Sequence, residues 1–123
     1  MHELSIASVL VESILKFAAE KNVRKVLEVR LAVGELTCVQ EEQLRFCFDA
    51  ITKETVIEDS TLEIEVVKTI VKCPYCAYEG QPKYWDDALS HYAIPTLVCP
   101  KCSETADAIQ GHECAIKAVK FVT

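Results

Sequence analysis

The sequence predicts an α+β fold in which two helices pack on a three-stranded sheet and a cysteine-rich module is inserted ahead of the last strand. Three observations carry this expectation. Two early segments repeat apolar residues at helical spacing, and two others alternate with a period of two. Two Cys-x-x-Cys pairs are then confined to one stretch before a final strand-like segment.

Residues 4–20 read as an amphipathic helix. Leu4, Ala7, Val11, Ile14, Leu15 and Ala18 recur at three- and four-residue steps and share one face. Glu3 stands where the positive end of that helix dipole falls, and Asn22 marks its end. Residues 26–33 form a strand. Leu27, Val29, Leu31 and Val33 point to the core, while Glu28 and Arg30 point away. Gly34-Glu35 closes this strand, and a second helix is predicted over 41–54 with Leu44, Cys47, Phe48 and Ile51 inward.

A second strand over 61–68 alternates Leu62, Ile64 and Val66 against Thr61, Glu63 and Glu65. Between 73 and 110, cysteine, proline, tyrosine and polar turns replace periodic hydrophobics. Cys114 to Val122 returns to strand character and is apolar on both faces, which suits a sheet interior. This organisation gives one domain from residues 1–70 plus 112–123 and a second from 71–111.

Half of the 123 residues are hydrophobic and the formal net charge is -6. A negative chain with scattered Lys and Arg disfavours nucleic-acid binding. No apolar run has the roughly 18 to 20 residues that a bilayer span requires. His2 and Glu3 stand where a signal peptide would be basic, so the expected location is cytoplasmic, with no membrane association.

Seven cysteines form an odd set, and four of them make the pattern Cys73-Pro74-Tyr75-Cys76 followed by Cys99-Pro100-Lys101-Cys102. Two intervening residues let both thiolates of a tight knuckle face one ion, and two knuckles complete a tetrahedron for zinc. The span between the pairs is slightly longer than the usual four-cysteine template, as a longer hairpin or loop allows. The surrounding segment has too few apolar residues to offset its ordering entropy, whereas structural zinc contributes about 10–16 kcal/mol in finger peptides. A closed four-thiolate site leaves no position open for substrate, so the expected role is structural. A pair of redox dithiols is the competing reading; neither pair precedes a helix whose N-terminus would favour a thiolate.

Met1-His2-Glu3 has chelating chemistry of its own. A free α-amine, the amide nitrogen of residue 2 and the His2 imidazole can hold one ion in fused rings, and planar nitrogen donors suit Ni(II) or Cu(II). Most histidines near a terminus are simply solvated.

Several motifs then occur in order: Met1-His2-Glu3-Leu4-Ser5, Val33-Gly34-Glu35-Leu36, Leu44-Arg45-Phe46 with Phe48, the two cysteine pairs, Gly111-His112-Glu113 and Ile116-Lys117. With these the chain resembles the HypA/HybF family of hydrogenase maturation proteins, which are nickel metallochaperones. The resemblance implies a two-helix, three-strand nickel-binding domain joined to a zinc ribbon. It implies nickel held through His2 and the Met1 amine with Glu3 in support, and delivery to the [NiFe]-hydrogenase large subunit together with a HypB-type GTPase. In some organisms, urease maturation proteins are also served. His91-Tyr92-Ala93-Ile94-Pro95 is similar to a segment from which some archaeal relatives supply a further nickel ligand, which makes His91 a candidate against the plain reading of an exposed loop histidine. Where many relatives carry an acidic residue after the Gly-Glu-Leu turn, this chain has Gln40, so no carboxylate ligand is expected there.

Cys47 and Cys114 are expected to act as small buried hydrophobes, and Cys38, near a turn, is expected to be exposed. His112 receives no chemistry. No Cys/His/Asp spacing marks a nucleophile, so the chain is not read as an enzyme. The competing function is a zinc-ribbon module that binds protein or RNA and carries no nickel. The sequence leaves monomer and homodimer equally open.

Overall fold

The computed structural model describes residues 3–87 and 92–123. Contacts divide the chain into two compact units. The first contains residues 1–33, 38–65 and 114–123, and the second contains residues 34–37 and 66–113.

In the first unit, α1 (Glu3–Glu20) and α2 (Glu41–Ile51) pack with strands β1 (Lys25–Gly34), β2 (Thr61–Val67) and β8 (Cys114–Val122). The sheet order is β2-β1-β8, and β1 pairs antiparallel with β8 from Lys25↔Val122 to Val33↔Cys114. This is the α+β arrangement that the sequence predicts. Asn22, with φ 53, takes the left-handed conformation that stops α1, and Asn tolerates it through its short polar side chain.

The core joins Ile6, Leu10 and Ile14 of α1 to Leu44 and Phe48 of α2, and these to Val26, Val29 and Leu31 of β1. Leu4 is 46% exposed, so the buried stripe of α1 is carried by Ile6 and Leu10 where the sequence reading used Leu4. Leu27 is also outward, at 48% exposure. The cause is a register shift between Val26 and Glu28, which puts Val26 into the core and displaces the simple alternation by one residue. Val66 is likewise exposed, and β2 ends one residue after it. The second helix ends at Ile51, three residues earlier than expected, because buried Thr52 caps it with its amide donating to the Phe48 carbonyl.

The last strand departs from its expected place. β8 lies at an edge of the sheet, beside β1 alone. Its inward residues Ile116 and Val119 pack on the core, and the Phe121 ring meets Phe17 edge-on at 5.3 Å between centroids. On the outer face Lys120 pairs with Glu28 at 3.2 Å. Apolar content on both faces therefore reflects a strand whose C-terminal half closes on α1, not one flanked by two neighbours. Lysines at an edge also discourage pairing with a further strand. Arg45 anchors α2 to β2 by donating to the Leu62 carbonyl.

The second unit contains a three-stranded sheet, β4 (Glu79–Gly80), β3 (Ile70–Lys72) and β7 (Asp107–Gln110), in the order β4-β3-β7. A separate antiparallel hairpin joins β5 (Tyr84–Asp87) to β6 (Tyr92–Pro95). Within this unit the chain passages near Gly34, Thr69 and Gly111 approach closely. A Cβ at Gly34 would lie 2.0 Å from the Gly111 carbonyl oxygen, a distance only glycine permits.

Replacing fully buried Phe48 by alanine is expected to destabilise the first unit by about 3–5 kcal/mol. The same change at Phe46, which is 73% exposed, should stay within about 0.5 kcal/mol. Denaturant unfolding followed through helix ellipticity separates the two.

Candidate metal centre

Two copies of one backbone turn build the cysteine site. In the first, the Cys73 amide donates to the Tyr78 carbonyl at 2.8 Å and the Ala77 amide donates back to the Cys73 carbonyl at 3.2 Å. In the second, the Cys99 amide donates to the Glu104 carbonyl and the Ser103 amide to the Cys99 carbonyl, both at 2.9 Å. Ala77 and Ser103 each adopt positive φ, 62 and 64 respectively, which reverses the chain just after the second cysteine. Each turn directs both of its thiols to the same side.

The four sulfur atoms of Cys73, Cys76, Cys99 and Cys102 all lie within 4.8 Å of one another. Cys73 Sγ and Cys102 Sγ are 3.5 Å apart, and Cys76 Sγ and Cys99 Sγ 3.6 Å. Four thiolates at about 2.3 Å from a tetrahedral zinc stand roughly 3.8 Å from one another. The cluster is thus of the size and donor type that fits zinc. Cys73 and Cys99 are buried, and Cys76 and Cys102 are half-buried.

The thiols are electrostatically unequal. Burial pushes Cys99 up, but the Cys102 and Lys101 amides and the neighbouring thiols bring it down to about 7. For Cys73 burial again opposes, and the Tyr75 and Cys76 amides prevail, so its pKa is lowered. At Cys102 the Glu104 amide favours the thiolate, yet burial and three adjacent sulfurs push it up to about 12. Backbone amides thus favour the thiolate more at the first cysteine of each knuckle than at the second. A divalent cation replaces the thiol protons, which is the chemistry of a thiolate metal site.

Among the described residues, the centre also forms much of the second unit's buried apolar cluster. That cluster is Val71, Cys73, Cys99 and Ala106, with Cys76, Tyr78, Cys102 and Ala108 packed around it. That interior cannot by itself order a unit of this length.

Met1, His2 and His91 lie outside the described residues. Glu3 opens α1, and its carboxylate accepts the Gln40 backbone amide at 3.3 Å. Gln40 thus meets Glu3 through its backbone and stands at the N-cap of α2 without a side-chain cap bond. Cys38 is exposed, while Cys47 and Cys114 pack against the first core; burial raises the Cys114 pKa.

One polar cluster in the second unit was not singled out for chemistry by sequence reasoning. Glu35, in the short 3-10 turn Glu35–Thr37, has a side chain only 13% exposed. Its Oε1 accepts the Thr69 amide at 2.8 Å and the Tyr84 hydroxyl at 2.9 Å, and Lys68 Nζ lies 3.7 Å from Oε2. Burial pushes the Glu35 carboxyl up, but these three partners outweigh it and hold it below the ordinary range. Tyr84, half-buried beside that carboxylate, is pushed up to about 12 by desolvation and by its hydrogen bond to Glu35. The one sequence signal was the Gly34-Glu35 turn, whose partners are 33 to 49 residues away and show no period.

Fold and site together define a small metal-binding protein in which a four-thiol zinc ribbon interrupts an α+β unit. Comparison with known proteins places that class. A family described as "Hydrogenase/urease nickel incorporation, metallochaperone, hypA" matches residues 1–121. The "Hydrogenase maturation factor HypA" of Methanopyrus kandleri is 34% identical, covering 98% of this chain and 93% of the relative. The factor of the same name from Methanocaldococcus jannaschii is 37% identical over 90% of this chain and 88% of its own length. The solution structure of the Ni metallochaperone HypA from Helicobacter pylori shares the fold, with a TM-score of 0.67, 22% identity and coverage of 99% of this chain and 98% of that one. The chain belongs to the HypA family of metallochaperones, and is a maturation factor rather than an enzyme. Among the described residues, no helix is long and apolar enough to cross a membrane.

Two outcomes test this geometry. Cys99→Ser should lower zinc content below one per chain and remove amide protection from the second unit, with the helices of the first unit retained by circular dichroism. The Glu35–Tyr84 pair has a definite pH window. Glu35 is depressed, so its contribution holds above the ordinary carboxylate range and is lost as acid passes its lowered pKa. Tyr84 is raised, so its contribution is complete below the usual 10 and is lost as pH rises through about 12. Tyrosinate absorbance should show one of the four tyrosines ionising near pH 12, a step absent from Tyr84→Phe.

Proposed function

We propose that this chain binds Ni(II) at its N-terminus and delivers it to the large subunit of a [NiFe]-hydrogenase during maturation. The carrying observation is the family match from residue 1 to residue 121, which takes in Met1-His2-Glu3 at one end and both cysteine knuckles. The Met1 amine, the amide nitrogen of residue 2 and the His2 imidazole supply planar nitrogen donors of the kind Ni(II) prefers. Glu3 supports that site from the first turn of α1, where its carboxylate is tied to the Gln40 amide. His91 is a candidate further nickel donor, set against the plain reading of an exposed loop histidine.

In this reading residues 1–70 plus 112–123 form the nickel-binding domain and residues 71–111 the zinc-ribbon domain. The zinc on Cys73, Cys76, Cys99 and Cys102 is structural, since four protein sulfurs fill a tetrahedron and leave no exchangeable position. Nickel is cargo. A terminal site with few protein ligands and open edges suits release to an acceptor better than a closed cage would. A HypB-type GTPase and, in some settings, urease maturation proteins are the partners, and the protein works in the cytoplasm.

Nickel titration followed by d–d absorbance and calorimetry tests the proposal. The native chain should bind Ni(II) tightly. His2→Ala, and a variant with one residue added before Met1, should each lose at least tenfold in affinity while keeping one zinc. Because amine and imidazole bind only when deprotonated, affinity should fall on acidification. Unchanged nickel uptake in both variants would leave a zinc-ribbon binding module instead.

A further inference from the structure

Of the 22 residues between the two knuckles, 77–98, the described side chains place Tyr78 against the second unit's buried apolar cluster. Their main ordered feature is the hairpin β5–β6, paired from Tyr84↔Pro95 to Asp87↔Tyr92. An isolated two-stranded hairpin is marginal in water. Trp85, on this hairpin, is 62% exposed, so its indole contributes little burial.

What fixes the hairpin is found at its base. The Lys83 amide donates to the Val98 carbonyl at 3.0 Å, and the Thr96 amide donates to the Lys83 carbonyl at 3.1 Å. Val98 immediately precedes Cys99, so this side of the base is tied to the second knuckle. On the other side the Tyr84 hydroxyl donates to Glu35 at 2.9 Å. Glu35 comes from the segment between β1 and α2, 49 residues before Tyr84. That segment belongs to the second unit by its contacts, and its place is fixed in turn by the Leu36 amide on the Gly111 carbonyl at 2.8 Å and by the Thr69 amide on Glu35 at 2.8 Å.

We propose that Glu35 is a positioning residue: its carboxylate clasps Tyr84 and thereby holds the β5–β6 hairpin in one orientation on the cysteine unit. The zinc-type knuckles order residues 73–78 and 99–104, and they reach the base of the hairpin through Val98, through the Ala106 amide on the Leu97 carbonyl at 2.7 Å, and through the Tyr78 hydroxyl on the Gln81 carbonyl at 2.8 Å. The carboxylate adds a point of attachment from a different segment, beside the ties along the chain, and so fixes the hairpin against rotation about its base. A charge-assisted hydrogen bond is about twice as strong as a neutral one, and Glu35 is largely shielded from water, so the clasp is a specific contact and not an incidental surface pair. The hairpin's ordering therefore depends on a four-residue strap, 34–37, that lies outside the segment bounded by the cysteines. This inference concerns the second unit alone and does not depend on where nickel binds.

Amide exchange read by mass spectrometry on the zinc-loaded full chain tests it, with the anisotropy of the single tryptophan, Trp85, as a second readout. Tyr84→Phe removes only the phenol and leaves Glu35 on the Thr69 amide. It should speed exchange in residues 84–95 by on the order of tenfold or more and lower Trp85 anisotropy. Peptides over 26–33, 73–78 and 99–104 should stay as protected as in the native chain. Glu35→Ala should reproduce the effect, and the double variant should add nothing to it, as expected for one shared contact. Exchange in 84–95 within twofold of native in Tyr84→Phe would overturn the proposal. So would full additivity in the double variant. If Glu35→Ala lost zinc or failed to fold, Tyr84→Phe alone would decide.

Discussion

Four sulfur atoms drawn within 4.8 Å of one another are the constraint on which the second unit depends. Among the described residues, its buried cluster of Val71, Cys73, Cys99 and Ala106 includes two of the four cysteines, and Cys76 and Cys102 pack around it. The same atoms thus serve as ligands and as interior. Thiols packed this closely repel one another as anions, and with burial this pushes Cys102 up to about 12, while backbone amides and neighbouring thiols that donate to Cys99 draw it down to about 7. A cation resolves that conflict, because it lets every sulfur be a thiolate at once. Metal affinity and folding energy are then one quantity, and a reader of this unit cannot assign stability to the one without the other.

The first unit rests on a different balance. Its helices and sheet enclose an apolar core with Phe48, Ile14, Leu31 and Leu44 fully buried. This division of labour suits a carrier. A cargo ion that also held the fold together could be surrendered only by unfolding. A nickel ion bound at the N-terminus, as proposed, would use ligands apart from the core of the first unit and from the four thiols of the second.

Much of this was legible from the chain alone, and the losses have physical causes. Both helices and the first two strands of the first sheet are legible from periodicity, because an amphipathic pattern is the direct trace of one buried face, and the last strand from its apolar content. The cysteine site was read from spacing, because the Cys-x-x-Cys turn is local and two such turns fix the ligand number. Leu27 was misplaced because a bulge shifts the alternation by one residue and leaves no mark in residue type. The position of β8 was misread because apolar content on both faces has two origins, a central place in a sheet or closure on a helix as at Phe121 and Phe17. The cluster around Glu35 has no period and no local spacing. Its partners Lys68, Thr69 and Tyr84 come from distant segments, so no sequence window contains it.

Glu35 also explains why a Gly-Glu pair stands at the end of β1. Gly34 is required because any Cβ there would strike the Gly111 carbonyl oxygen, which lies 2.0 Å from where that atom would sit. Close passage of the two backbones then lets the Gly34 amide reach the Glu113 carbonyl at 2.7 Å and the Leu36 amide reach that of Gly111. With the strap so fixed, residue 35 can point only toward the Thr69 amide and the Tyr84 hydroxyl, and both are donors. An acceptor is needed at that position, and a carboxylate meets it better than an amide, because its two oxygens serve the donors and Lys68 together. The residue pair at the strand end is thus dictated by packing at Gly34 and by hydrogen-bond complementarity at Glu35, two separate requirements met within two residues.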